Sequence, residues 1–135
     1  MTPLQIEQKV REAFNDLGGT KAKKTTLRFG KTSPSHEFDL YENKKIIGGI
    51  STSPWFNKPK GSKRPTGNTS GQDRASTELL WLSLWQGSER RVHILTDKEM
   101  AERLFKKFSG ACFSRSIEIH HYDVDKNTFR HVGTL

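Results

Sequence analysis

The chain has 135 residues, a single cysteine, and 23 Lys or Arg against 15 Asp or Glu, for a net charge of +8. This length suits one domain with one core. One cysteine excludes an internal disulfide, and no apolar run is long enough to span a bilayer. No signal-peptide core follows Met1, so a cytoplasmic location is expected, and the cationic balance favours a polyanionic partner, nucleic acid first.

In chain order, Thr2-Pro3-Leu4-Gln5 carries an N-cap, a proline for the first turn and a capping-box glutamine. Ile6, Val10, Phe14 and Leu17 recur at helical spacing, and Gly18-Gly19 stops the helix. A basic stretch leads to a short strand at Thr25–Phe29. Then His36–Tyr41, the turn Glu42-Asn43-Lys44-Lys45 and Ile46–Ser53 read as a hairpin. Strict alternation places His36, Phe38 and Leu40 on one face of its first strand, with Glu37, Asp39 and Tyr41 on the other.

Residues 54–72 form the longest loop, holding three prolines, three glycines, Lys58, Lys60, Lys63 and Arg64, with Trp55 and Phe56 at its start. Long loops in compact domains tend to carry function. These four cations can meet phosphates, as can Arg74 just beyond, and the aromatic rings can stack on bases. A solvated loop with no such role is the alternative.

A helix follows over Asp73–Gln86. Leu79, Leu80, Trp81, Leu82, Leu84 and Trp85 make it apolar nearly all round, so it is buried on most sides or covered by a partner. Arg91–Leu95 is a strand. Thr96-Asp97-Lys98-Glu99 opens a helix with Met100, Leu104, Phe105 and Phe108 inward and Gly110 as its stop. Ser116–Asp123 is a strand, and Thr128–Val132 can add an edge strand. The expected class is α/β in the order α-β-β-β-α-β-α-β, one domain over 1–135 with a mixed central sheet flanked by helices.

This order, with Asp39 near the hairpin turn, resembles the restriction-endonuclease-like nucleases, the PD-(D/E)xK superfamily. The phrase Ile47-Gly48-Gly49-Ile50-Ser51 is similar to the family's third strand, where an acid and a lysine stand two residues apart. Gly49 occupies the acid's place and Ser51 the lysine's. The resemblance implies Mg2+ or Mn2+ held by carboxylates, DNA as partner and phosphodiester hydrolysis. Asp39 is the first acid. Because one carboxylate holds a hard cation weakly, other acids must converge on it. Glu78 on the second helix and Glu7 on the first are the candidates, with Glu37 as a strand neighbour. Each also has an ordinary role available: Glu7 as a flanking charge, Glu78 as an i,i+4 partner of Arg74, and Asp39 as a turn acid beside Lys44 and Lys45.

With neither acid nor lysine on the third strand, cleavage is expected to be weak, and Gly49→Glu with Ser51→Lys to raise it. Two readings stay open: a nuclease with a displaced site, using Asp39, Glu78 and Glu7, and an inactive nuclease-like module that forms a homodimer through Leu79–Trp85. His36, His120 and His121 show no ligand spacing to one another and are expected to be structural.

Overall fold

The structure, a computed structural model, describes residues 1–32, 34–58, 61 and 64–135. Its elements run α1 (Pro3–Gly18), β1 (Lys23–Arg28), β2 (Ser35–Glu42), β3 (Ile46–Ser51), α2 (Thr69–Leu84), β4 (Arg90–Leu95), α3 (Lys98–Phe108), β5 (Ile117–Asp123) and β6 (Thr128–Thr134). The six strands lie side by side in sequence order. The β1-β2-β3 meander and the β5–β6 pair are antiparallel, while β3, β4 and β5 are parallel. The α/β class and the mixed sheet agree with the pattern in the sequence, and β6 extends the expected edge to Thr134. Among the described residues, no helix is long and apolar enough to cross a membrane.

The sheet is covered on both faces. Val10 and Phe14 of α1 pack with Leu40, Ile46, Val92, Ile94 and Tyr122 on one face. Leu79 and Leu82 of α2, with Met100 and Leu104 of α3, pack with Phe38, Ile47, Leu95, Ile117 and Ile119 on the other. Thr2 and Gln5 form the expected reciprocal cap, and Gly19 closes α1 with φ +65, in the left-handed region that a Cβ disfavours. Leu17 departs from the expected apolar stripe and stands 76% exposed.

The alternation expected for β2 fails at one point. Lys23 pairs with Tyr41 and Thr25 with Phe38, so Lys24 alone opposes both Asp39 and Leu40. This β-bulge turns Phe38 and Leu40 to opposite faces, where strict alternation would give them one. α2 also differs from its expected span. Asn68 accepts the Gly71 N–H and starts the helix four residues early, which shortens the loop before it. At its far end Trp85 turns extended, and buried Arg91 donates to the carbonyls of Leu82, Trp85, Gly87 and Glu89. One guanidinium thereby satisfies the Leu82 carbonyl in the last turn of α2 and three carbonyls just beyond it, and binds α2 to β4. In α3 the cap is Asp97, which accepts the Met100 N–H at 2.9 Å, and Thr96 lies outside the helix.

A candidate acidic site at the fork between β2 and β3

β2 and β3 pair only from Leu40↔Gly48 to Glu42↔Ile46 and then part. The bulge sits at the point of divergence and aims the Asp39 side chain into the gap. There Asp39 Oδ2 accepts the Ile50 N–H at 2.8 Å, replacing the β2 carbonyl that a continued ladder would supply. The fork explains how helices on opposite faces reach one carboxylate. Glu7 from α1 and Glu78 from α2 both act on Asp39 through the opening.

Glu78 stands over the bare backbone of Gly49. A Cβ at that glycine would lie 2.4 Å from Glu78 Cγ and 2.7 Å from its Oε1. Helix α2 therefore delivers a carboxylate to the strand position that lacks one. Glu78 Oε1 is buried and has no hydrogen-bond partner, while Oε2 meets His36 Nε2 at 2.8 Å. The ordinary role considered for Glu78, an ion pair with Arg74, is not formed: Arg74 donates to Ser53 Oγ at 3.3 Å. His36 is itself fixed, stacked on Trp81 at 4.7 Å and edge-on to Phe38.

Burial pushes the Asp39 carboxyl up to about 7; the Ile50 N–H opposes the rise, and the Glu7 and Glu78 carboxylates add to it. Burial likewise pushes Glu78 to about 7. His36 is lowered by burial, against the pull of Asp39 and Glu37. Both shifts favour the uncharged forms, so the His36–Glu78 contact is a hydrogen bond rather than a fixed ion pair. His93, fully buried beside Gly49, is driven down to about 3 by burial and stays neutral; its Nε2 bonds Ser51 Oγ at 2.7 Å.

Cations surround these acids. Arg11 donates Nε to the Asp39 carbonyl at 2.9 Å and NH2 to Glu7 Oε1 at 2.8 Å. Lys24 lies 3.1 Å from Glu7 and 3.6 Å from Glu37. The hydrogen bond to Glu7 raises Lys24 above its usual range, against a small loss from burial. Glu37 is exposed and faces Lys24, so it does not join Asp39 as a further buried acid. Beside the acids, a cavity of about 250 Å³ is lined by Ile50, Ser51, Thr52, Ser53, Arg74 and Glu78. The roles of Arg11, Lys24 and His36 were not found from the sequence. Only Arg11 had a signal, four residues after Glu7; Lys24 reaches the site through the bulge, which no local pattern announces.

Mg2+ and Mn2+ prefer hard oxygen donors. The carboxylates of Asp39 and Glu78 fit in donor type, and the unpartnered Glu78 Oε1 supplies a buried oxygen without a competing bond. The group is open. Among the described residues, three ligating atoms lie within 4.8 Å of one another only at Glu118, His120 and His131.

Of the expected nucleic-acid residues, Lys58, Arg64 and Arg74 are exposed, whereas Lys60 and Lys63 lie outside the described residues. Trp55 is engaged within the protein. The Arg103 guanidinium stacks 4.4 Å from its ring centroid, Gly67 packs against the ring, and the Trp55 backbone N–H donates to Asp97 Oδ2 at 3.0 Å. Phe56 is 54% exposed. The ends of the loop are tied as a short ribbon, with Phe56 bridged to Gly67 and Asn57 N–H donating to Thr66. No family model, curated protein or solved structure matches the chain significantly.

Proposed function

We propose that the chain is a nucleic-acid-binding domain of restriction-endonuclease-like type that hydrolyses phosphodiesters in DNA with Mg2+ or Mn2+. The observation that carries this reading is the Glu78 carboxylate in the side-chain space of Gly49, facing Asp39 across the fork. Asp39 and Glu78 would hold the ion, with Glu7 behind Asp39. When bound, the ion polarises the phosphodiester and acidifies its water. The chain's own groups do the rest. Arg11 and Lys24 offset the negative charge of the acids and can meet the phosphate backbone. Arg74 stands at the cavity mouth, and His36 orients Glu78 and can exchange a proton with it.

This arrangement revises the expected remedy for a missing third-strand acid. A Cβ at Gly49 would lie 2.4 Å from Glu78 Cγ, so Gly49→Glu can raise cleavage only if Glu78 moves aside. The direct test is plasmid cleavage by the purified chain with Mn2+, alongside calorimetric titration of the ion. Cleavage should fall at least about a hundredfold in both Asp39→Ala and Glu78→Ala, in line with loss of metal-assisted catalysis. Cleavage unchanged in both variants would overturn the assignment, as would a wild type that neither binds Mn2+ nor cuts.

A second reading rests on Leu80 and Leu84, 55% and 47% exposed on α2. They suit an inactive module that pairs with a second copy of the chain. The two tryptophans do not contribute to that face: Trp81 and Trp85 pack inward around Phe29. Sedimentation of the wild type against Leu84→Glu separates this reading, which requires a dimer dissociated by the charge.

A further inference from the structure

The edge of the sheet farthest from the fork carries a different set of ligands. Glu118 and His120 stand two apart on β5, on one face of the strand, and His131 of β6 lies directly opposite His120. A register shift between Ile119 and His120 leaves Val132 unpaired and brings His131 into that position. Without the bulge the two imidazoles would not share a face. As folded, their ring centroids are 5.0 Å apart, His120 Nε2 is 3.0 Å from Glu118 Oε1, and one ligating atom of each residue lies within 4.8 Å of the other two.

We propose that Glu118, His120 and His131 form a metal site, separate from the acidic fork, for a transition ion of the zinc class. Two imidazoles and one carboxylate match zinc and its neighbours, whereas Mg2+ and Mn2+ prefer an all-oxygen set. Three protein ligands leave a coordination position open. There is room for it, since His120 and Arg90 form part of the wall of a cavity of about 250 Å³ that runs beneath the end of α1 to Phe129. The Thr134 hydroxyl, 3.0 Å from His131 Nε2, can hold that exposed ring in orientation. Arg90 grips both oxygens of Glu118, at 2.6 and 2.7 Å. Oε2 keeps a second lone pair for an ion, and Oε1 regains one when the His120 ring turns from it to the ion. The neighbouring guanidinium weakens the site relative to an isolated triad without closing it.

The experiment is calorimetric titration of the full chain with Zn2+, with Co2+ absorption as a second readout. One equivalent should bind, and Co2+ should give the intense visible bands of a low-symmetry, four-coordinate site. His131→Ala removes an exposed side chain and should fold normally by circular dichroism. It should weaken Zn2+ binding at least about tenfold, a loss typical of damage to a metal's immediate surroundings. Asp39→Asn should leave the Zn2+ isotherm unchanged, and His131→Ala should leave any Mn2+-dependent cleavage unchanged, so this site and the fork succeed or fail separately. The proposal is overturned if folded wild type binds no Zn2+, if His131→Ala binds it as tightly as wild type, or if Asp39→Asn abolishes binding.

Discussion

Asp39 and Glu78 are held in a costly state near neutral pH. Both folded-state values are raised to about 7, well above those of free carboxyls. The folded protein therefore binds more protons than the unfolded chain between about pH 4 and 7, and stability must fall as pH rises through that window. The contribution of these groups is fully present below the free carboxyl range and is lost above about 7. Neutral isosteres escape the penalty. Asp39→Asn still offers an oxygen to the Ile50 N–H, and Glu78→Gln still fills the space over Gly49. Each variant should match the wild type near pH 4 and exceed it by about 1–2 kcal/mol at pH 8. Urea denaturation at both pH values measures the difference. Variants less stable than wild type at pH 8 would make these acids structural partners instead of a strained pair poised for a cation. By the same linkage, Mn2+ should bind more tightly at pH 8 than at pH 6 and release protons as it binds.

At the level of the elements, the sequence disclosed what depends on local rules. The Thr2–Gln5 capping box, the hairpin turn, the helical spacing of Val10 and Phe14 and the parallel β3-β4 crossover all follow from propensity and period. The two bulges do not. Each depends on which strand lies opposite, and each positions a proposed ligand: one aims Asp39 into the fork, the other brings His131 to His120. The position of Glu78 was legible only as a candidacy, because its meeting with Gly49 depends on how α2 crosses β3. That crossing is held by Arg91, buried against the Leu82 carbonyl of α2 and the carbonyls of the connection that follows. Arg91→Met should cost on the order of 3 kcal/mol, since several buried acceptors lose their donor at once. It should also loosen Trp85 and, through α2, Glu78. Gly49→Ala tests the same contact from the other side. Its methyl must displace Glu78, with a stability loss of about 1–3 kcal/mol and weaker Mn2+ binding. A Gly49→Ala protein with wild-type stability would mean that Glu78 does not rest on this glycine.

Taken as a whole, the molecule sets a few buried acids inside a cationic exterior. Arg11 and Lys24 flank the fork, Arg74 stands at its cavity, and Lys58 and Arg64 project from the neighbouring loop. With a net charge of +8, the proposed nucleic-acid reading requires the field to draw a polyanion toward a place where carboxylates would otherwise repel it. A cation held between acid and phosphate resolves that repulsion, so nucleic-acid affinity and divalent-ion binding should reinforce each other. Binding to duplex DNA should weaken steeply with salt, by a slope of roughly −0.9 in log–log form for each phosphate neutralised. Replacing Lys58, Lys60, Lys63 and Arg64 together with Ala should reduce that slope and the affinity. Melting should stay unchanged for Lys58→Ala with Arg64→Ala alone, because both residues are exposed. Fluorescence anisotropy over a range of salt, with and without Ca2+ as a non-cleaving stand-in, measures both effects. An affinity indifferent to salt, or a fourfold variant that binds as tightly as wild type, would move the nucleic-acid surface away from this loop and leave the charge as a determinant of solubility alone.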